Sequence, residues 1–139
     1  MRPTIQLLSL LCCMLVVAGC SSSADISAAE REVEEFRKLM AAQQYAAIYA
    51  ASTQDLKQAA TEEDIGKLLD AVNRKLGKLA SVEKSGWHVN VNTSGTFVTL
   101  GYKSKYERGD ATEQFVYRLE NGKASLVSYN INSMALVTN

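Results

Sequence analysis

The chain has 139 residues with 15 basic side chains, 15 acidic ones and one histidine, so its formal net charge is zero. That length holds one domain with a real core and not two, and the balanced charge supplies no strong field to draw nucleic acid or anionic lipid. The one proline, Pro3, stands near the start, so no proline-rich linker divides the chain.

Arg2 gives a small positive start, and residues 5–18 are nearly continuous apolar sequence broken by Gln6 and Ser9. The run is shorter than the ~20 apolar residues a membrane span needs and has the length of an export signal. It closes on Val17-Ala18-Gly19-Cys20, which resembles the lipobox of bacterial lipoprotein precursors. The resemblance implies diacylglycerol on the Cys20 thiol, cleavage before Cys20, and N-acylation in many organisms. An ordinary signal peptide with an incidental cysteine is the alternative. Ser21-Ser22-Ser23-Ala24, read as a flexible polar tether, favours the lipoprotein. Each buried acyl methylene contributes ~0.8 kcal/mol, so two or three chains hold durably.

Cleavage leaves 120 residues, with 14 basic against 15 acidic side chains. Cys12 and Cys13 depart with the signal, so Cys20 has no disulfide partner. The expected organisation is a signal at 1–19, a lipidated cysteine and tether at 20–26, and one globular domain at 27–139. Ser21 lacks the aspartate that marks inner-membrane retention in enteric-type bacteria. In a host with two membranes, the outer membrane facing the periplasm is therefore favoured.

Ser27-Ala28-Ala29-Glu30 has capping-box spacing, and Val33, Phe36, Leu39 and Met40 follow at helical intervals. The pattern runs through Tyr45, Ile48 and Tyr49, with Gln43-Gln44-Tyr45 marking a kink or break, and Leu56 belongs to a small helical turn. Thr61-Glu62-Glu63-Asp64 starts a second strong helix with acids in its first turn. Its apolar stripe is Ile65, Leu68, Leu69, Val72, Leu76 and Leu79, and Gly77 is a weak point or cap. A basic-edged stripe could lie on a membrane, but a core role is favoured because a sheet able to cover it follows.

From about Val82 the period becomes two, with turn signals at Ser94-Gly95, Gly109-Asp110 and Asn121-Gly122. With each pair at the centre of a two-residue loop, facing residues sum to 189, 219 and 243. Trp87, Val89 and Val91 then face Tyr102, Leu100 and Val98. Tyr102 and Leu100 meet Tyr117 and Leu119, which meet Leu126 and Ala124. One continuous apolar face results, as a correct register requires. The expected fold class is α+β: N-terminal helices packed on a four-stranded antiparallel meander. Val116, Val127, Tyr129 and Ile131 fall on the opposite face, provided that no bulge intervenes.

The layout resembles the nuclear-transport-factor-2-like (cystatin-like) superfamily, and within it a family of small bacterial exported, lipid-anchored proteins of unknown function. The resembling segments are Gln44-Tyr45-Ala46-Ala47-Ile48-Tyr49, Leu76-Gly77-Lys78-Leu79-Ala80-Ser81, Gly95-Thr96-Phe97-Val98-Thr99-Leu100-Gly101-Tyr102, Thr112-Glu113-Gln114-Phe115, Asn121-Gly122-Lys123 and Ser128-Tyr129-Asn130-Ile131. The resemblance implies a curved, cone-shaped sheet around helices and transfers no catalytic residue. The chain departs from it at Ala124, where an aromatic often stands.

No set of residues here declares a reaction. His88 falls on the outer face, one histidine without a mature thiol offers little to a metal, and no phosphate loop or nucleophile elbow occurs. Arg108-Gly109-Asp110 and Asn92-Thr93-Ser94 read as turns. No cofactor or metal is expected. Function is expected to be non-enzymatic binding at the cell envelope, with the membrane as partner through Cys20. Val116, Val127, Tyr129 and Ile131 are the surface for a homodimer or an envelope protein. The alternative is a small-ligand or enzymatic pocket inside the cone, lined by Tyr102 and Tyr117.

Overall fold

A computed structural model describes residues 21–138, so Cys20 and the signal lie outside the described residues. Helix α1 (Ser21–Ala41) buries Ala29, Val33, Phe36 and Met40, spaced by three and four along one face. It starts earlier than the capping signal suggests: Ser27 lies inside the helix, and residues 21–26 are helix and not tether. Ile26 and Ala28 pack on the core, and that burial carries the helix past its local start signal. It ends at Gln43, which takes a left-handed φ of 57°. The Gln43 amide donates to the Met40 carbonyl at 3.1 Å and the Gln44 amide to the Leu39 carbonyl at 2.9 Å, the paired closure of a Schellman motif.

The break expected at Gln43-Gln44-Tyr45 is real. Short helices α2 (Tyr45–Ala51) and α3 (Gln54–Ala59) follow, with Ile48 and Leu56 buried. Helix α4 (Glu62–Leu76) opens on the Thr61–Asp64 capping box. It buries Leu69, Val72 and Leu76, while Leu68 faces out at 40% exposure. Gly77 caps it at φ 76°. The Asn73 amide ties α4 to the end of α1, donating to the Met40 carbonyl and to the Tyr45 hydroxyl, both at 2.9 Å. A fifth helix, α5 (Ala135–Thr138), is too short to show a periodic signal.

The sheet is the expected meander. Strands β1 (Leu79–Asn92), β2 (Gly95–Tyr106), β3 (Gly109–Glu120) and β4 (Lys123–Asn132) pair antiparallel in the order β1-β2-β3-β4. Only the last hairpin keeps the expected register near its turn, with Tyr117 opposite Leu126 and Leu119 opposite Ala124. Asn121 and Gly122 both adopt positive φ, as a primed turn demands.

The other two turns fall earlier. Thr93 and Ser94 form the first, held by the Asn92 side chain accepting from the Ser94 amide at 2.7 Å. Trp87 therefore faces Leu100, and Val91 faces Thr96. Glu107 and Arg108 form the second, because α4 holds them. The Arg108 amide donates to the Leu76 carbonyl at 3.0 Å, and its guanidinium donates to the Lys75 carbonyl at 2.9 Å and to the Arg74 carbonyl. The Glu107 carboxylate accepts from the Lys78 amide at 2.9 Å. A cation thus caps the negative end of α4, and Tyr102 slides opposite Glu113 in place of Tyr117. Both slips are even, so residues beside these turns keep their expected face and change their neighbour, while a bulge between Lys84 and Gly86 turns Val82 and Lys84 inward.

One face changes too. A bulge between Val116 and Tyr117 leaves Val127 unpaired, and beyond it Tyr129 faces Phe115 and Ile131 faces Glu113. Tyr129 and Ile131 therefore lie on the inner, helix-covered face, contrary to their expected place outside.

Helix α1 contacts all four strands on that inner face, and α4 packs on α2, α5 and α1. Arg37 reaches Glu113, while Glu32 flanks Tyr117 farther along β3. The N-terminus of α1 therefore points toward the β1–β2 and β3–β4 turns, and its C-terminus toward the β2–β3 turn.

Candidate functional site

An acid stands at an inward position of β3, and the fold builds a shell around it. Glu113 is 4% exposed. One carboxylate oxygen, Oε1, accepts from the Tyr106 hydroxyl at 2.9 Å and the Tyr129 hydroxyl at 2.8 Å. The other, Oε2, accepts from the Ser104 hydroxyl and from Arg37 Nη1 at 3.1 Å. Strand β2 presents Ser104 and Tyr106, the bulge in β4 turns Tyr129 inward, and α1 supplies Arg37.

The charge is paired and hydrogen-bonded, as a buried carboxylate must be. Burial, reinforced by the neighbouring Glu113 charge, pushes the phenols of Tyr106 and Tyr129 well above the ordinary tyrosine range. Both therefore stay protonated and donate. Arg37 Nη2 is buried without a hydrogen-bond partner. Its guanidinium lies over the rings of Tyr102 and Phe115, at 5.1 and 5.6 Å from their centres, where the ring faces attract the cation.

This shell limits the chemistry. A carboxylate offers about four lone-pair positions, and here four donors fill them. A general base must reach a substrate proton, and Glu113 in this arrangement has no position left for one.

Beside the shell lies a cleft of about 700 Å³ between the C-terminal end of α1, the end of α4 and the β2–β3 turn. Phe36, Met40, Ala41 and Leu79 give it apolar walls, and Tyr106 and Glu113 reach it from the sheet. Among the described residues it is lined by five basic side chains, Arg37, Lys38, Arg74, Lys78 and Arg108, against the carboxylates of Glu107 and Glu113. Gly77 lets the turn close on α4, because the chain there takes a φ of 76° that side chains rarely adopt.

Tyr102 and Tyr117, expected to line a pocket together, are buried on either side of Phe115, and Tyr117 borders a small cavity under α1 of about 50 Å³. They are 8% and 2% exposed, and Phe115 stands between them, its ring centre 5.9 Å from one and 6.4 Å from the other. Both are core residues with phenols raised by burial. The expected partner surface is also divided. Val116 and Val127 are half-buried on or beside the outer face, while Tyr129 serves the Glu113 shell and Ile131 packs against the core. Arg118, on the same outer face, bonds Asp55 of α3 at 2.6 Å and lies over Phe97. His88 is exposed, opposite Thr99. Among the described residues no three potential metal ligands stand together, and no helix is long and apolar enough to cross a membrane. Glu113 was discoverable from the sequence: strict alternation from Tyr117 through Phe115 puts an acid on the core face, and a buried acid demands partners.

No curated protein matches the chain. Residues 33–126, from the middle of α1 into β4, match the profile of a protein family of unknown function, DUF3887. They span most of the helical layer and nearly the whole sheet, the Glu113 shell except Tyr129, and every cleft-lining residue, so the chain belongs to this family.

Proposed function

We propose that this protein is a lipid-anchored envelope protein whose domain, a nuclear-transport-factor-2-like cone, binds a small amphiphilic anion in the cleft and catalyses no reaction. The anchor rests on the lipobox at Cys20. The cone assignment rests on α1 lying against all four strands and on bulges in β1 and β4, which bend strands. The ligand reading is carried by one observation: the cleft joins apolar walls to a basic rim. In that rim Arg37, Lys38 and Arg74 are paired with Glu113, Glu35 and Asp70, and Arg108 caps α4, so that Lys78 is the cation turned to a ligand. The saturated Glu113 shell favours binding over catalysis. An enzymatic reading is favoured only by the nearness of Glu113 and Tyr106 to the cleft, and it would require a donor to leave the carboxylate.

Titration of the unlipidated chain, starting at Ser21, with the fluorescent anion anilinonaphthalene sulfonate tests the site. Saturable binding is expected, weakened about tenfold (about 1.4 kcal/mol) by Lys78→Glu or Ala41→Glu and unchanged by Trp87→Ser. Absence of saturable binding, or indifference to both cleft variants, would remove the ligand reading.

A further inference from the structure

We propose that the inner face of β1 is a membrane-contact surface that seats Trp87 and Val91 in the lipid headgroup layer. The proposal rests on the lipid anchor at Cys20. Pairing with Ser104, Tyr102, Leu100, Val98 and Thr96 puts Val82, Lys84, Trp87, Val89 and Val91 on the inner side of β1. Helix α1 covers the β2 side of these pairs and reaches β1 at Lys84, which bonds Glu30 at 2.6 Å, while Val82, Trp87 and Val91 stay exposed. Val98 and Leu100 are 0% exposed, whereas Val82 is 46%, Trp87 58% and Val91 73% exposed. An apolar stripe of this kind needs a cover from outside the domain.

Ser21 argues for which cover. It is already helical and directly follows Cys20, so little slack separates the acyl chains from the domain. Arg37 lies beside Tyr102 and Glu113, and Glu30, two turns earlier, bonds Lys84 opposite Tyr102, so α1 crosses toward β1 as it runs back. From Glu30 it continues roughly 14 Å to Ser21, and Val91 lies roughly 20 Å along β1 from Lys84. The first turn of α1 and the exposed stripe of β1 thus lie toward the same side of the molecule, and the lipid would hold that side at the bilayer.

Tryptophan is suited to this position, because its ring favours the boundary between headgroups and hydrocarbon. The chain has no charge excess to attract lipid, so the contact acts only once the lipid has made it intramolecular. The cleft lies at the opposite end of α1, roughly 30 Å away, and would open away from the membrane.

Trp87 is the sole tryptophan and reports on itself. The mature lipoprotein, reconstituted into phosphatidylethanolamine–phosphatidylglycerol vesicles, is compared with the unlipidated chain mixed with the same vesicles. Relative to that chain, the lipoprotein should show a blue shift of Trp87 emission, a severalfold fall in acrylamide quenching, and quenching by lipids brominated near the headgroup. Val91→Asp should still float with the vesicles and lose much of this shielding. Flotation with Trp87 as accessible as in the unlipidated chain would overturn the surface and spare the anchor. Failure to float would overturn the anchor and the surface with it. Shielding without vesicles that grows with protein concentration would assign the stripe to a second copy instead.

Discussion

Strands β3 and β1 break the usual partition of residues in opposite directions. β3 buries a carboxylate at the centre of the sheet, and β1 exposes a tryptophan and a valine at its edge. The buried charge is complete in itself, since four donors from α1, β2 and β4 surround Glu113. Among the described residues, Val82, Trp87 and Val91 have no such answer and stay exposed. An anomaly resolved inside the fold speaks for architecture, and one left open speaks for something outside it.

The sharpest way to break this contrast is to remove one member of the buried pair. Arg37→Met should destabilise the domain by about 3–5 kcal/mol, because it strands a charge that is 2% exposed. Adding Glu113→Gln should restore part of that loss in denaturant unfolding, since a neutral amide no longer needs the cation. A double variant at least as unstable as Arg37→Met alone would mean that the shell is more than a charge-neutralising device.

Alkali should act next. The folded-state pKa values of Tyr106 and Tyr129 are raised above the ordinary 10.0, so their contribution is complete below pH 10. It is lost as the pH rises past that value, where the unfolded chain sheds protons that the folded one keeps. Denaturation midpoints measured across this range should fall, and less steeply in Tyr106→Phe. A flat profile would mean that these phenols are not held as described.

The smallest effect belongs to β1. Trp87→Ser should change the stability of the unlipidated chain by less than about 0.5 kcal/mol, measured by the same unfolding. A larger loss would show that Trp87 supports the core, and the contrast between the strands would then collapse.

Much of this architecture was legible in the sequence, and the failures have physical causes. The capping box at Thr61, the break near Gln43 and the four-stranded meander all follow from local chemistry. Asn121-Gly122 gave the correct register because both residues bring the backbone freedom that the turn requires. Ser94-Gly95 and Gly109-Asp110 misled because glycine there opens the following strand. The actual turns are set by an Asn92 side chain and by an arginine reaching across to another element's end. The β4 bulge has no local signature, so simple alternation puts Tyr129 and Ile131 on the outer face, opposite to where they lie. Glu113 was visible only as a contradiction, an acid where alternation demands an apolar side chain.

The shell around Glu113 also orders events in time. Its three hydroxyl donors lie 7, 9 and 16 residues away along the chain, whereas Arg37 lies 76 residues away. Short loops close early and long ones late. The hairpins can therefore assemble an acid cradled by neutral groups before the first helix has settled. Docking of α1 then delivers the counter-charge, so the longest loop in the cluster closes on the contact that the nascent sheet most lacks.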